Sequence, residues 1–323
     1  MTRKDKKALF NEFEHLLTEQ RNRRSMKIDA TSVPETLRII NEEDEKVARA
    51  VRREIPRIAR AVDLVVDAIS RGGRLIYVGA GTSGRLGILD ATECPPTYGT
   101  DPKTIQGVIA GGKRAVFRSI EGAEDRAEDG RRAMEKKRVS GRDVVCGIAA
   151  SRRTPFVVAA IQRARELGAK TIYVTTNPRG DFHLDVDAAI CPVVGPEVIM
   201  GSTRMKSGTA QKLVLNMMTT AAMIRLGKVY ENMMVDLQIK SRKLEERAKR
   251  VVMIVTGVNY ERAEEALRAA HGHVKPAIVM LKAKVNASEA RRRLSRADGF
   301  VRLAIGEKNM LTNKPTPQKP KRS

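Results

Sequence analysis

Between residues 33 and 69 apolar side chains recur every three or four positions, at Val47, Val51, Ile55, Ile58, Val62, Val65 and Ile69, which is one buried stripe on a helix. Pro56 interrupts it. Because proline suits a first turn and breaks a helix interior, the stripe predicts two helices. After "SRGG" the period changes. "RLIYVGA" (74–80), "TIQGVIAG" (104–111), "DVVCGIAAS" (143–151), "TIYVTTN" (171–177) and "AAICPVVG" (188–195) are short apolar or β-branched runs without alternation, the pattern of strands covered on both faces. Helical stretches such as "PFVVAAIQRARELGA" (155–169) lie between several of them. The expectation is an α/β fold with a doubly wound parallel sheet, binding ligands at the carboxyl ends of its strands. From Gly208 a long helix is predicted, with Met217, Met218 and Met223 as core filling. "YERAEEALRAA", "KPAIVMLKA" and "NASEARRRLSRADGFVRLAI" then predict a small helical module. The expected division is an arm and helices over 1–60, the sheet domain over 61–228, the helical module over 229–306, and a disordered Lys- and Pro-rich tail over 307–323.

The 323 residues, 41% hydrophobic, can fill a proper core. No run approaches the roughly 18 apolar residues of a membrane helix, and "MTRKDKKALFNEFEH" has no apolar region behind its basic residues. A cytoplasmic protein without membrane contact is expected. Cys94, Cys146 and Cys191 are far apart, odd in number and free of CxxC pairing, so neither a disulfide framework nor a zinc site is indicated. His271 and His273 are two apart, which places them in a loop rather than on one helical face. No metal and no cofactor are expected. The formal net charge of +23 raises a nucleic-acid hypothesis on electrostatic grounds. Yet the charge is dispersed, Trp is absent and aromatics make up 3%, so a solvated basic surface is preferred over a nucleic-acid site.

Candidate chemistry sits at three strand-to-helix junctions. In "GAGTSGR" Gly79, Gly81 and Gly84 permit close backbone approach, while Thr82 and Ser83 offer hydroxyls where a helix begins, the makings of an anion site. The GxGxxG-like spacing also admits a dinucleotide reading. No acidic residue follows at the end of the second strand in the expected role, and the Thr-Ser pair favours a phosphate monoester. A glycine turn without any ligand is the plain alternative. The second junction delivers Ser151, Arg152, Arg153 and Thr154 before Pro155, and the third, "GPEVIMGSTRMKSGTAQK" (195–212), delivers Ser202, Thr203, Arg204 and Lys206.

"RLIYVGAGTSGRLGILDATECPPTYG", "EGAED", "GPEVIMGSTRMKSGTAQKLVLNM" and "GKVYENMMVDL" resemble the N-acetylmuramic acid 6-phosphate etherase family, built on a sugar isomerase (SIS) domain, over nearly the whole chain. The resemblance implies an SIS-type sheet with N-terminal helices and a small UBA-like C-terminal module. It implies cleavage of the D-lactyl ether of N-acetylmuramic acid 6-phosphate by water in peptidoglycan amino-sugar recycling, by a homodimer without metal or redox cofactor. A plausible route opens the sugar ring, removes the C2 proton beside the C1 aldehyde and expels lactate from C3, after which water adds back; two carboxylates in different environments can divide the acid and base roles. The resemblance assigns Glu93 as proton donor to the departing oxygen and Glu124 as second acid/base. Its Cys94-Pro95-Pro96 flank is expected to dehydrate Glu93 and raise its pKa. Without the resemblance, Glu121, Glu124 and Asp125 read as solvated acids at a helix start. Phosphate and sugar contacts carry over to Gly81, Thr82, Ser83, Ser151, Thr154, Ser202 and Arg204. Arg152 stands where the family commonly has glycine, and "QRNRRS" where it has an "NPRS" type of segment. A sugar-phosphate isomerase, or a regulator that binds without turnover like glucokinase regulatory protein, is the alternative on the same sheet.

Overall fold

The computed structural model describes residues 16–151, 153–181, 183–237 and 242–307. Arg152 and the basic tail from residue 308 lie outside the described residues. The chain divides into two compact units, one formed by the chain up to Pro95 with Thr100–Ala222, the other by Pro96–Gly99 with the chain from Met223.

The first unit opens with α1 (Val33–Arg52), started by Ser32, whose hydroxyl accepts from the Glu35 N–H, a regular N-cap. The predicted break at Pro56 is real: α2 (Ile55–Ser70) carries that proline in its first turn. Val47, Val51, Ile58, Val62 and Val65 are buried, but Ile55 is exposed, because the new helix starts there and resets the phase of the stripe. Then follow β1 (Leu75–Gly79), α3 (Gly81–Tyr98), β2 (Ile105–Ile109), α4 (Arg114–Phe117), α5 (Ala127–Lys136), β3 (Val144–Ile148), α6 (Pro155–Glu166), β4 (Lys170–Val174), β5 (Ala188–Ile190) and α7 (Lys206–Arg225). All five predicted strands form one parallel sheet in the order β2-β1-β3-β4-β5. In register, Tyr77 of β1 lies beside Cys146 of β3, and Cys146 beside Ile172 of β4. Every residue of β1 and β3 is buried, which explains why neither run alternates. Ile76, Val78, Val145 and Tyr173 join one cluster with Met134 of α5 and Phe156, Val157 and Ile161 of α6. Tyr77 points the other way and donates its hydroxyl to Asp90 of α3 at 2.8 Å.

Asp90 also accepts from Asn216 and Thr219 of α7, at 2.7 and 3.1 Å. Burial raises its pKa, and those three donors oppose the shift. Met218 and Met223 of α7 are fully buried as expected, whereas Met217 is 40% exposed, since consecutive residues on a helix cannot share one face. Cys94, Cys146 and Cys191 are free and buried. Burial pushes the Cys94 thiol up to about 12 and the other two upward as well.

At the head of α7 lies a buried charge network. Glu197 receives the Lys206 and Ser207 backbone N–H groups at 3.0 and 2.9 Å, while the Lys206 ammonium meets Glu43 of α1 at 2.7 Å and the Val194 carbonyl at 3.0 Å. Both charged partners of the Lys206–Glu43 pair are almost completely buried. Burial alone would raise Glu43, but hydrogen bonds from Lys206, Lys46 and Asn22 outweigh it and hold the carboxyl at about 2.

The second unit contains a short hairpin, β6 (Val229–Tyr230) and β7 (Met233–Met234), followed by α8 (Arg242–Thr256), α9 (Tyr260–Ala269), α10 (Val274–Ala283), α11 (Ala287–Arg296) and α12 (Val301–Ala304). Its core is its own, built from Val252, Ala263, Leu267, Ile278, Val279, Ala290 and Val301 among others. The last predicted segment divides into two helices at Gly299, which has φ +79°. His271 and His273 lie in the turn between α9 and α10.

Three outcomes follow from this packing. Lys206→Met strands the Glu43 carboxylate in the interior and is expected to cost about 3–5 kcal/mol in urea unfolding, a loss relieved when Glu43→Gln is added. Because Glu43 is held below its unfolded value, its contribution is complete above pH about 4.5 and disappears as pH falls toward about 2; the Glu43→Gln variant should therefore show a shallower acid unfolding profile across that window. Gly84→Ala would place a methyl 2.5 Å from Ile109 Cγ1 and 2.9 Å from the Gly79 carbonyl oxygen, so a destabilisation of about 1–3 kcal/mol is expected by the same measurement.

Candidate active site

A cavity of about 280 Å³ opens at the carboxyl ends of β1, β2 and β3. This is where the strand order reverses, β2 lying on one side of β1 and β3 on the other, the position at which doubly wound sheets hold ligands. Ala80, Gly81, Thr82 and Ser83 after β1, and Ala149, Ala150, Ser151 and Thr154 after β3, form two of its walls.

Local geometry makes the first wall. Gly79 and Gly84 approach so closely that a Cβ on Gly79 would lie 2.6 Å from the Gly84 nitrogen, and Gly81 has φ +51°, which favours glycine. The chain thereby turns from strand to helix within two residues. The first turn of α3 has no preceding turn to receive its N–H groups, and these carry the positive end of the helix dipole. The second wall, at the start of α6, offers hydroxyls rather than free N–H groups, since Pro155 has none, Phe156 donates to the Glu124 carbonyl and Val157 to the Thr154 carbonyl. Thr154 precedes Pro155 and makes no side-chain cap to its own helix.

The third junction differs from the sequence expectation. The first N–H groups of α7 are engaged by Glu197, a carboxylate supplied by the preceding loop, so this helix offers no comparable anion seat. Gly201 and Thr203 of that loop line the cavity; Ser202 and Arg204 do not, and Arg204 is exposed. Thr18, Glu19 and Arg85, which no local sequence pattern marks, line the cavity too. Glu19 and Thr18 come from the "LTEQRNRRS" arm, brought there by a Gly201 N–H to Thr18 carbonyl bond of 3.1 Å and by Ser25, whose hydroxyl donates to the Val198 carbonyl at 2.6 Å.

Of the two assigned glutamates, Glu124 lines the cavity. It does not start a helix: α5 begins at Ala127, and Glu128 and Asp129 are its first-turn acids. The Glu124 carbonyl accepts the Phe156 N–H at 2.9 Å, which ties this loop to the first turn of α6. Glu93 is elsewhere. It lies eleven positions beyond Thr82 on α3, about 16 Å along the axis, and is exposed, because Asp90, Ala91 and Cys94 occupy the buried side of that helix. The dehydration expected from its Cys-Pro-Pro flank is therefore not present within this chain; both prolines sit inside the last turns of α3. Chemically, the cavity can seat a phosphate-sized anion between the N-terminus of α3 and the hydroxyls of Thr82, Ser83, Ser151 and Thr154, with Arg85, Glu19 and Glu124 around it.

Residues 57–165 match the family model described as the glucokinase regulatory protein N-terminal SIS domain. Among curated proteins, the chain is 63% identical over 302 residues to the N-acetylmuramic acid 6-phosphate etherase of Salinibacter ruber, covering 93% of this chain and 97% of that protein. It is 58% identical over 274 residues to the etherase of Symbiobacterium thermophilum, covering 85% and 91% of the two chains, and 50% identical over 297 residues to that of Clostridioides difficile, covering 92% and 98%. With 63% and 50% identity over more than nine-tenths of its length to two such etherases, the chain belongs to the N-acetylmuramic acid 6-phosphate etherase family.

Proposed function

We propose that this protein cleaves the D-lactyl ether of N-acetylmuramic acid 6-phosphate with water, giving N-acetylglucosamine 6-phosphate and D-lactate. The observation that carries the reading is the cavity itself, which the N-terminus of α3, the hydroxyl residues Thr82, Ser83, Ser151 and Thr154, and Glu124 line together, in a chain of this family. The first turn of α3, with the hydroxyls of Thr82, Ser83, Ser151 and Thr154, holds the C6 phosphate. Anchoring at that end makes proton transfer at C2 and departure of lactate from C3 intramolecular in effect. Opening the ring exposes a C1 aldehyde, which acidifies the C2 hydrogen. Glu124 serves as one acid/base, and Glu93 protonates the leaving lactate oxygen.

A sugar seated at the head of α3 does not reach Glu93 of the same chain, about 16 Å away. We therefore read the working protein as a homodimer in which a second copy supplies Glu93. Exposed apolar residues support this assembly: Leu89 stands one turn before Glu93 on α3, and Val33, Leu37 and Met217 are likewise uncovered. The C-terminal helices α8–α12 are read as the UBA-like module, and the setting as cytoplasmic amino-sugar recycling; among the described residues no helix is long and apolar enough to cross a membrane.

A coupled D-lactate assay tests the activity, with unphosphorylated N-acetylmuramic acid as the control that should stay silent. Thr82→Val should raise KM roughly tenfold by removing one charge-assisted hydrogen bond. Glu93→Gln should lose at least about a hundredfold in kcat while still binding the phosphosugar. Mixing inactive Glu93→Gln and Glu124→Gln proteins should restore about a quarter of the activity, since half of the randomly formed dimers would carry one intact site. Binding without lactate release would point to the regulator reading, and aldose–ketose exchange without lactate to the isomerase.

A further inference from the structure

We infer that Gln211 is a positioning residue that turns the Ser83 hydroxyl hydrogen toward the bound phosphate, an inference that rests on reading Ser83 as a phosphate ligand. Gln211 is 1% exposed and Ser83 7%. Their side chains form one short contact, Ser83 Oγ to Gln211 Oε1 at 2.9 Å. With the amide oxygen on that side, the serine gives its hydrogen to Gln211, and the Gln211 Nε2 group is buried without a hydrogen-bond partner among the described residues.

A buried primary amide with neither N–H engaged is a rare and costly arrangement. The two ends of a glutamine amide have nearly the same shape and electron count, so which end faces a neighbour follows from the hydrogen-bond network. Turning the amide over lets Nε2 donate to Ser83 Oγ across the same 2.9 Å gap. What is left unpaired is then a carbonyl oxygen, the lesser penalty. The serine changes role with it: a lone pair is occupied by Gln211, and its hydrogen is free to point into the cavity that Ser83 lines with Thr82, Ser151 and Thr154. A phosphate oxygen arriving there is an ionised acceptor and takes that hydrogen in a charge-assisted bond.

Gln211 can impose this direction because its surroundings are closely packed. Its neighbours Ala210, Val214 and Leu215 on α7 are buried, and the head of the same helix is fastened by Glu197 and Lys206. The donor is therefore aimed before ligand arrives, which is what a preorganised site requires.

Calorimetric titration of the full-length protein with inorganic phosphate tests this directly, alongside KM and kcat for lactate release. Gln211→Glu keeps the shape but offers an acceptor only, drawing the serine hydrogen away; phosphate Kd and sugar KM should rise roughly tenfold, with kcat changing much less. Gln211→Met removes the orienting donor without adding charge and should weaken phosphate roughly fivefold. In a Ser83→Ala background the methionine change should have no effect, and the glutamate change should retain only its charge repulsion. Equal losses from Gln211→Met with and without the Ser83 hydroxyl, or no loss at all, would overturn the inference even where Ser83→Ala alone weakens phosphate. If Ser83→Ala leaves phosphate Kd unchanged, the reading of Ser83 as a ligand fails, and the inference with it. The methionine variant keeps the test decisive should Gln211→Glu fail to fold, as a thermal melt of each variant would reveal.

Discussion

Lys206 is the point on which the geometry of the first unit turns. Its ammonium is held in the interior by Glu43 of α1 and the Val194 carbonyl, and its own backbone N–H is held by Glu197. A charge removed so completely from water is tolerable only when every partner is in place. The network therefore admits one arrangement of three pieces: the first long helix, the loop 195–205 and the head of α7. That loop carries Gly201 and Thr203 into the cavity wall, and α7 carries Gln211 beneath Ser83. The polar wall of the site is thus a consequence of where one buried cation can be satisfied.

Hydrophobic pattern made most of the fold legible. Runs without alternation marked all five strands, because a parallel sheet with helices on both faces leaves no polar side to alternate with. Pro56 located the helix break. Patterning failed where burial depends on phase rather than composition: Ile55 and Met217 are apolar yet exposed, the first because a helix restarts there, the second because Met218 takes the inward position. Charged residues inside the core, Glu43, Glu197 and Lys206, carried no signal in the sequence, since a buried ion pair and a solvated one are spelled alike.

The candidate site was legible in part, and for a physical reason. Local chemistry, such as glycines at a strand-to-helix turn or hydroxyls before a proline, is written in contiguous residues, and it marks those two walls. The third junction looked the same in one dimension but is capped from within by Glu197, ten residues away in the chain from Ser207. Glu19 and Thr18 carry no such local signal because their arrival depends on hydrogen bonds from the arm to the 198–201 segment, contacts across more than 170 positions. The exposure of Glu93 likewise follows from which side of α3 Asp90 anchors.

The buried thiols carry a different implication. Cys94, Cys146 and Cys191 sit where water does not reach, and their high pKa values leave almost no thiolate to attack an electrophile. A folded molecule of this kind is deaf to peroxide and to alkylating agents until its interior opens. The rate at which all three sulfurs become modifiable is thus a clock for the breathing of the sheet domain, running without any engineered probe.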